Sequence, residues 1–145
     1  MREILFRGRR TDNGEWVYGF LWVNRTVTRE TVYITDVMGE MFQVHPETVG
    51  QYTGLKDTNG QRIFEGDIIS YLYLHDDWIE PEVGVVEYMS DDGYPAFQME
   101  HSPVFDDEHY VVECNILALL DQSGDYSYFV AGNIHDNPEA MGGTK

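Results

Sequence analysis

Along most of this 145-residue chain, apolar side chains recur at every second position, and a period of two predicts β-strands. The clearest case is the segment 15–23. Its aromatic residues fall on one face of the predicted strand: Trp16, Tyr18, Phe20 and Trp22. The other face is aliphatic: Val17, Gly19, Leu21 and Val23. Because both faces are apolar, we expect packing to cover both of them.

Two Asn-Gly pairs mark tight turns between predicted strands. Asn13-Gly14 and Asn59-Gly60 predict hairpins of type I′ geometry, since both residue types tolerate positive φ angles. A third bend, Glu65-Gly66-Asp67, leads into an apolar segment. The remaining strands are predicted over 3–8, 31–35, 41–44, 49–53, 62–64, 67–74, 83–89, 94–99 and 126–131.

Helical structure is expected only in short pieces. Pro46 predicts a single helical turn over 45–48. A second turn is expected to begin at Pro138, with Asp136 or Asn137 as its cap. Residues 110–120 fit either a helix or a buried strand, and we favour a helix.

These elements predict a mainly β fold, with a β-rich α+β fold as the alternative. A chain of this length can form one compact domain, here 1–145. A weak internal repeat aligns the two Asn-Gly turns and their flanking strands at a displacement of 46 residues (60 − 14). The repeat suggests two similar barrel-like units over about 1–50 and 51–140.

The charge of the chain restricts its partners. There are 26 acidic and 9 basic residues, a net charge of −17, and residues 63–145 hold eighteen acids against one Lys. Direct binding of nucleic acids or of anionic membranes is therefore disfavoured, because both require clustered cations. Cys114 is the single cysteine, and no apolar run has the length of a membrane-spanning helix. We expect a cytoplasmic protein that takes other proteins as partners.

No motif assigns a catalytic or cofactor-binding residue. The five histidines lack metal-ligand spacing, and the adjacent acids, such as Asp91-Asp92, are expected in solvated turns. We therefore expect no catalytic residue, metal or cofactor. One polar cluster is a candidate site, with local turn geometry as the competing interpretation: Glu65, Asp67, Asn133, His135 and Asp136.

The chain resembles the YopX family of phage and prophage proteins. The resemblance lies in the following segments: Phe6–Gly8, Gly14–Gly19, Val44–Asp57, Asn59–Ile68, Gly84–Val86 and Gly132–Glu139. It implies a phage or prophage origin, a β-rich fold of two intertwined units, and homo-oligomers that can include rings. It implies no particular biochemical activity.

The leading functional hypothesis is a small, non-enzymatic protein-binding or assembly protein in the bacterial host cytoplasm. Its partner would be a second copy or another host or phage protein, and its candidate interface is the aromatic row: Trp16, Tyr18, Phe20 and Trp22. Stacking of nucleobases on the same row is a weaker interpretation, given the charge. Two alternatives remain: a hydrolase or metal-binding protein whose site assembles only in three dimensions, and an acidic DNA mimic.

Overall fold

The computed structural model describes residues 3–74, 79–89, 96–101 and 127–138, with residues 72–74, 79–82, 89 and 96–101 described by their backbone alone. In this part of the chain, ten strands and one 3-10 helical turn alternate with short loops. The strands are β1 Phe6–Arg9, β2 Trp16–Arg25, β3 Glu30–Thr35, β4 Met41–Val44, β5 Gly50–Lys56, β6 Arg62–Phe64, β7 Asp67–Leu74, β8 Ile79–Met89, β9 Ala96–His101 and β10 Tyr128–Asn133. The helical turn is Pro46–Thr48. The predicted mainly β fold is confirmed.

The chain divides into two compact units, Met1–Gly54 and Leu55–Lys145, and β5 runs from the first into the second. The six-stranded sheet has the order β4-β3-β2-β1-β5-β6, and the four-stranded sheet has the order β10-β7-β8-β9. All the strand pairs with a described register are antiparallel. Within the first unit, an antiparallel bridge between Arg10 and Val44 joins the end of β1 back to β4. The first sheet therefore curls towards a closed barrel.

The interior of the first unit is built from alternate residues of these strands. Its buried members are Val17, Val32, Ile34 and Val44, and the half-buried side chains packed against them are Phe6, Leu21, Phe42 and Val49. The second unit has a buried cluster among its described residues. It consists of Ile63, Ile69, Tyr71, Val86 and Tyr128, with Leu55 and Val130 packed against them.

Gly19 lies where β2 changes its hydrogen-bonding partner. Residues 16–19 pair with β1, and residues 20–25 pair with β3. A Cβ atom at Gly19 would overlap the carbonyl oxygen of Thr35, which is backbone and cannot rotate away. The bend that lets one strand serve both halves of the sheet therefore requires glycine at this position.

Two of the hairpin loops, 57–61 and 36–40, have the same hydrogen bonds. In the loop 57–61, the N–H of Asp57 donates to the carbonyl of Gln61 (2.8 Å), and the N–H of Gly60 donates to the carbonyl of Asp57 (2.9 Å). The loop 36–40 repeats both bonds at 2.9 and 3.0 Å. In each loop the first Asp also accepts two backbone N–H groups through its Oδ1 atom.

Both Asn-Gly pairs lie in hairpin turns, as predicted, but neither turn has type I′ geometry. Type I′ requires a positive φ at both central residues, and every positive φ in the described residues belongs to glycine. Gly60 has φ 82°, so the loop 57–61 is a three-residue connection in which a type I turn precedes one left-handed glycine. The loop at Asn13-Gly14 is one residue longer, because Arg10 bonds to Glu15. The two Asn-Gly turns are thus not equivalent, contrary to the 46-residue repeat.

Several boundaries differ from the sequence-based expectation. The strand expected over 83–89 begins at Ile79, so the strand also contains Glu80 and Glu82. The additional residues 79–82 all pair with β7, and Pro81 lies opposite Leu72. This pairing stabilises the longer strand. The strands β9 and β10 each begin two residues later than expected.

Some expectations fall outside the described residues. They concern the segment 110–120, Cys114, and the acidic pairs Asp76-Asp77, Asp91-Asp92 and Asp106-Asp107. Within the described part, no helix combines the length and the apolar character that crossing a membrane requires.

The substitution Gly19→Ala is expected to lower the free energy of unfolding by about 2–3 kcal/mol, because the Thr35 carbonyl must move to admit a methyl group. Urea denaturation followed by circular dichroism measures the loss. The control is Gly14→Ala, where a Cβ atom meets nothing within 4 Å and only the positive φ is unfavourable, at about 1 kcal/mol. Equal losses for the two variants would contradict this account.

Candidate functional site

The aromatic residues of β2 lie on the outer face of the first sheet. Tyr18 is 45% exposed, Phe20 66% and Trp22 59%, whereas Val17 on the opposite face is buried. The expectation that both faces are covered therefore holds for the core-facing Val17 and fails for the aromatic face. The structure leaves that face accessible within one chain.

Strand pairing adds further side chains to this surface. Tyr33 lies directly opposite Trp22, Thr35 lies opposite Phe20, and Met41 lies beyond Thr35 on β4. Cross-strand partners share a face of an antiparallel sheet, so these side chains extend the aromatic row sideways. We define the aromatic face by Tyr18, Phe20, Trp22, Tyr33 and Met41.

Trp16 differs from the other aromatic residues of the row. The guanidinium of Arg7 lies 4.8 Å from the centroid of its indole ring, and that of Arg9 lies 5.6 Å away. Both distances fit cation–π attraction, which contributes about 0.5–2 kcal/mol per pair. Trp16 is half-buried beneath these two arginines. The predicted interface residue Trp16 thus has a structural role, and the aromatic face begins at Tyr18.

Apolar side chains also occupy two loops of the first unit. Val27 is fully exposed at the tip of the β2–β3 hairpin, which is closed by an Arg25–Glu30 ion pair of 2.8 Å. Val37 and Met38 are 89% and 85% exposed in the loop that follows β3. Sequence reasoning missed these residues. The available signal was an apolar residue inside a turn, where polar residues are the rule.

One ion pair at the β1–β2 loop changes the titration of both its members. Arg10 donates to the Asp12 carboxylate through Nε (2.9 Å) and through a terminal nitrogen (2.7 Å). These bonds lower the pKa of Asp12 and raise the pKa of Arg10. The guanidinium of Arg10 also stacks over Phe42, with its central carbon 4.1 Å from the centroid of the ring. The pair is exposed, so solvent screens it and its effect on stability is small.

The candidate polar cluster is brought together at one end of the second sheet. Asp67 opens β7 and is the register partner of Asn133 at the end of β10. The N–H of Ile134 donates to the carbonyl of Gly66 (3.0 Å). Asp67 is 1% exposed, and its carboxylate accepts the N–H of Phe64 (2.8 Å). The structure therefore joins the segments 65–67 and 133–136, as the cluster predicted.

Asn133 organises the turn that follows β10. Its Oδ1 atom accepts the N–H groups of His135 (3.0 Å) and Asp136 (2.9 Å), and its amide donates to the carboxylate of Asp136 (2.9 Å). Gly132 has no room for a Cβ atom because the side-chain amide of Asn137 occupies that space. The side chain of Asn133 therefore caps the turn at 134–136. The helical turn predicted to begin at Pro138 extends beyond the described residues, so its predicted cap, Asp136 or Asn137, stays a prediction. An Asn side chain that bonds to the backbone two residues on favours such a turn.

These contacts define what the polar cluster does. The hydrogen bonds of Asp67 and Asn133 described above run to backbone groups or stay within the turn, which is the pattern of a structural motif. Among the described residues, no three His, Cys, Asp or Glu side chains are grouped so that they could hold a metal ion. The aromatic face is consequently the stronger candidate for recognition.

Comparison with known proteins identifies relatives of the chain. A family model described as YopX protein matches residues 5–142. The crystal structure of protein EF1440 from Enterococcus faecalis is similar in fold, with a TM-score of 0.52 and 22% sequence identity, over 97% of this chain and 99% of that chain. No curated protein matches the sequence significantly.

The substitution Asn133→Ala is expected to lower the free energy of unfolding by about 2–3 kcal/mol, because the buried Asn133 side chain is the acceptor of two backbone N–H groups of the turn. Asp136→Ala is the control, since Asp136 is exposed and its loss should cost less than about 1 kcal/mol. Denaturant titration compares the two. A larger loss for Asp136→Ala would show that the turn depends on its carboxylate.

A second prediction concerns metal binding by the polar cluster. Calorimetric titration with calcium, magnesium, manganese and zinc ions is expected to show no micromolar binding, because the carboxylates serve local hydrogen bonds. Micromolar binding that His135→Ala or Asp136→Ala abolishes would demonstrate a metal site. That result would favour the hydrolase alternative.

Proposed function

This chain belongs to the YopX family, and we propose that it is a small, non-enzymatic assembly protein of a phage or prophage that acts in the bacterial host cytoplasm. The aromatic face of one copy binds a second copy of the same chain. The observation that carries this proposal is the exposure of Tyr18, Phe20 and Trp22 side by side on one strand. The phage or prophage origin and the assembly into oligomers are what the family resemblance implies.

The energetics of the aromatic face support association. Fully burying an aromatic side chain is favourable by about 1.5–3 kcal/mol, and soluble monomers seldom expose large contiguous apolar patches. Tyr18 and Trp22 are also of the residue types that dominate interface hot spots. The neighbouring Thr35 and Gln43 are uncharged, so covering them does not desolvate an ion.

The distribution of charge supports contact between unlike surfaces. Residues 1–54 carry six basic and seven acidic residues, net −1, whereas residues 55–145 carry three basic and nineteen acidic residues, net −16. Contact between two such acidic halves is repulsive, and contact of the nearly neutral half of one copy with the acidic half of the next is not. Head-to-tail contacts of this kind close into a ring when the rotation between copies permits it.

Two of the described acids, Asp57 and Asp67, are unsuited to a DNA mimic. Mimicry requires regularly spaced carboxylates at the surface. Asp57 and Asp67 are buried, and both accept hydrogen bonds from the backbone of their own unit. These two carboxylates therefore stabilise the fold and cannot imitate phosphates.

Replacing two aromatic residues tests the proposal. The double variant Phe20→Ser, Trp22→Ser is expected to weaken self-association by at least about 100-fold, since each hot-spot aromatic contributes about 2 kcal/mol. Light scattering over a wide concentration range should show a mass above the 16.8 kDa of one chain for the unaltered protein. The double variant should approach that single-chain mass.

The matched control removes two exposed apolar residues of the first unit that lie outside the aromatic face, Ile4→Ser and Val27→Ser. The control should associate like the unaltered protein. A single-chain mass for the unaltered protein at every concentration would refute self-association. Binding of a single-stranded oligonucleotide, seen as fluorescence anisotropy and lost in the Phe20, Trp22 variant, would assign the face to nucleobases instead.

A further inference from the structure

Strand β10 lies at an edge of the four-stranded sheet, with β7 on its inner side. In an antiparallel pair, successive residues direct their backbone N–H and C=O groups alternately to the two sides. Tyr128 and Val130 direct theirs outwards, as their bonding partners show. An uncovered edge of this kind is a template for pairing with another chain.

The loop 57–61 covers this edge with hydrogen bonds that imitate a neighbouring strand. The N–H of Thr58 donates to the carbonyl of Tyr128 (3.0 Å), and the hydroxyl of Thr58 accepts the N–H of Tyr128 (3.0 Å). The Oδ2 atom of Asp57 accepts the N–H of Val130 (3.0 Å). In addition, the hydroxyl of Tyr128 donates to the carbonyl of Lys56 (2.8 Å).

Comparison with the loop 36–40 separates what the hairpin requires from what the edge requires. Both loops use the Oδ1 atom of their first Asp to accept two backbone N–H groups. Of these two aspartates, Asp57 also uses its Oδ2 atom, which accepts a hydrogen bond from the N–H of Val130 in β10. The residue that corresponds to Thr58 is Val37, which is exposed and has no hydroxyl. The contacts with β10 are thus additional to the turn itself.

We propose that Asp57 and Thr58 form an edge cap, which blocks a latent strand-addition surface on β10. The occupant that the cap excludes is the β10 edge of a second copy. Two identical antiparallel edges can pair about a two-fold axis, so their backbone groups are self-complementary. Because the two acidic units repel each other, the pairing is tested at a salt concentration of about 0.5 M, which screens that repulsion. Each edge would offer the outward groups of Tyr128 and Val130, which are two residues apart as a ladder requires. The inference is independent of the aromatic face.

Isosteric substitutions test the edge cap without removing the turn. In Asp57→Asn the remaining oxygen still accepts the N–H groups of Asn59 and Gln61, but an amide nitrogen then faces the N–H of Val130. Thr58→Val removes the second acceptor. Both are made in the Phe20→Ser, Trp22→Ser background, so that association through the aromatic face does not contribute. The matched control is Asp36→Asn in the same background.

Hydrogen–deuterium exchange and light scattering give the two readouts. In the Asp57, Thr58 variant the amides of Tyr128 and Val130 should exchange about tenfold faster at low concentration, as loss of one hydrogen bond implies. The mass should rise with concentration towards twice 16.8 kDa, and the slow exchange should return. The Asp36→Asn control should show neither change.

Two results would overturn the edge cap: unchanged exchange at Val130, or faster exchange with a mass that stays at one chain at every concentration. If the combined variant loses its circular dichroism spectrum, Thr58→Val alone decides by the same two measurements. This outcome is separable from the proposed function, because the background already lacks the aromatic contact.

Discussion

The second unit depends on one buried carboxylate. Asp57 is 6% exposed and accepts three backbone N–H groups, from Asn59, Gln61 and Val130. Two of these bonds close a hairpin, and the third joins residues that are 73 positions apart in the chain. A buried charge is tolerated only when hydrogen bonds compensate for its lost hydration. The geometry of the turn and the position of the last strand are consequently set by the same side chain.

This interaction gives a structural reason for the residues of the segment Lys56–Gly60, which carries part of the family resemblance. Within Lys56–Gly60, a carbonyl accepts the hydroxyl of Tyr128, a carboxylate accepts three amides, and a glycine adopts a positive φ. The Gly132–Asn137 segment has a similar explanation, because Asn133 holds its turn and Gly132 makes room for Asn137. The contacts described in both family segments are therefore structural.

The two-residue period of the apolar side chains and the turn residues were sufficient to predict β2, β7 and their neighbouring strands. A long alternation of this kind is compatible with few structures other than a β-strand. The turn type at Asn59-Gly60 was not predictable from that pair alone. The decisive residue is Asp57, whose side chain bonds within the loop select a type I turn before the glycine. Similarly, the start of β8 at Ile79 depends on pairing with β7, and a Pro and two Glu residues conceal it in the sequence.

The aromatic row illustrates a different limit. Alternation correctly placed four aromatic side chains on one face, but it could not distinguish Trp16 from Trp22. The distinction comes from Arg7 and Arg9, which lie beside Trp16 only because β1 pairs with that half of β2. Similarly, the sequence predicted which residues form the polar cluster. That Asn133 holds a turn there is seen only from its hydrogen bonds in the structure.

The unequal surroundings of the tryptophans have a practical consequence for solution studies. Trp16 lies beneath two guanidinium groups in the first unit, whereas Trp22 is 59% exposed. Intrinsic emission from Trp16 therefore reports whether the first unit is folded, and the accessibility of Trp22 to a dissolved quencher reports whether its surface is covered. The chain has three tryptophans. Variants in which Trp78 and either Trp16 or Trp22 are replaced keep a single indole, and they turn the same protein into two optical probes, one for folding and one for contact.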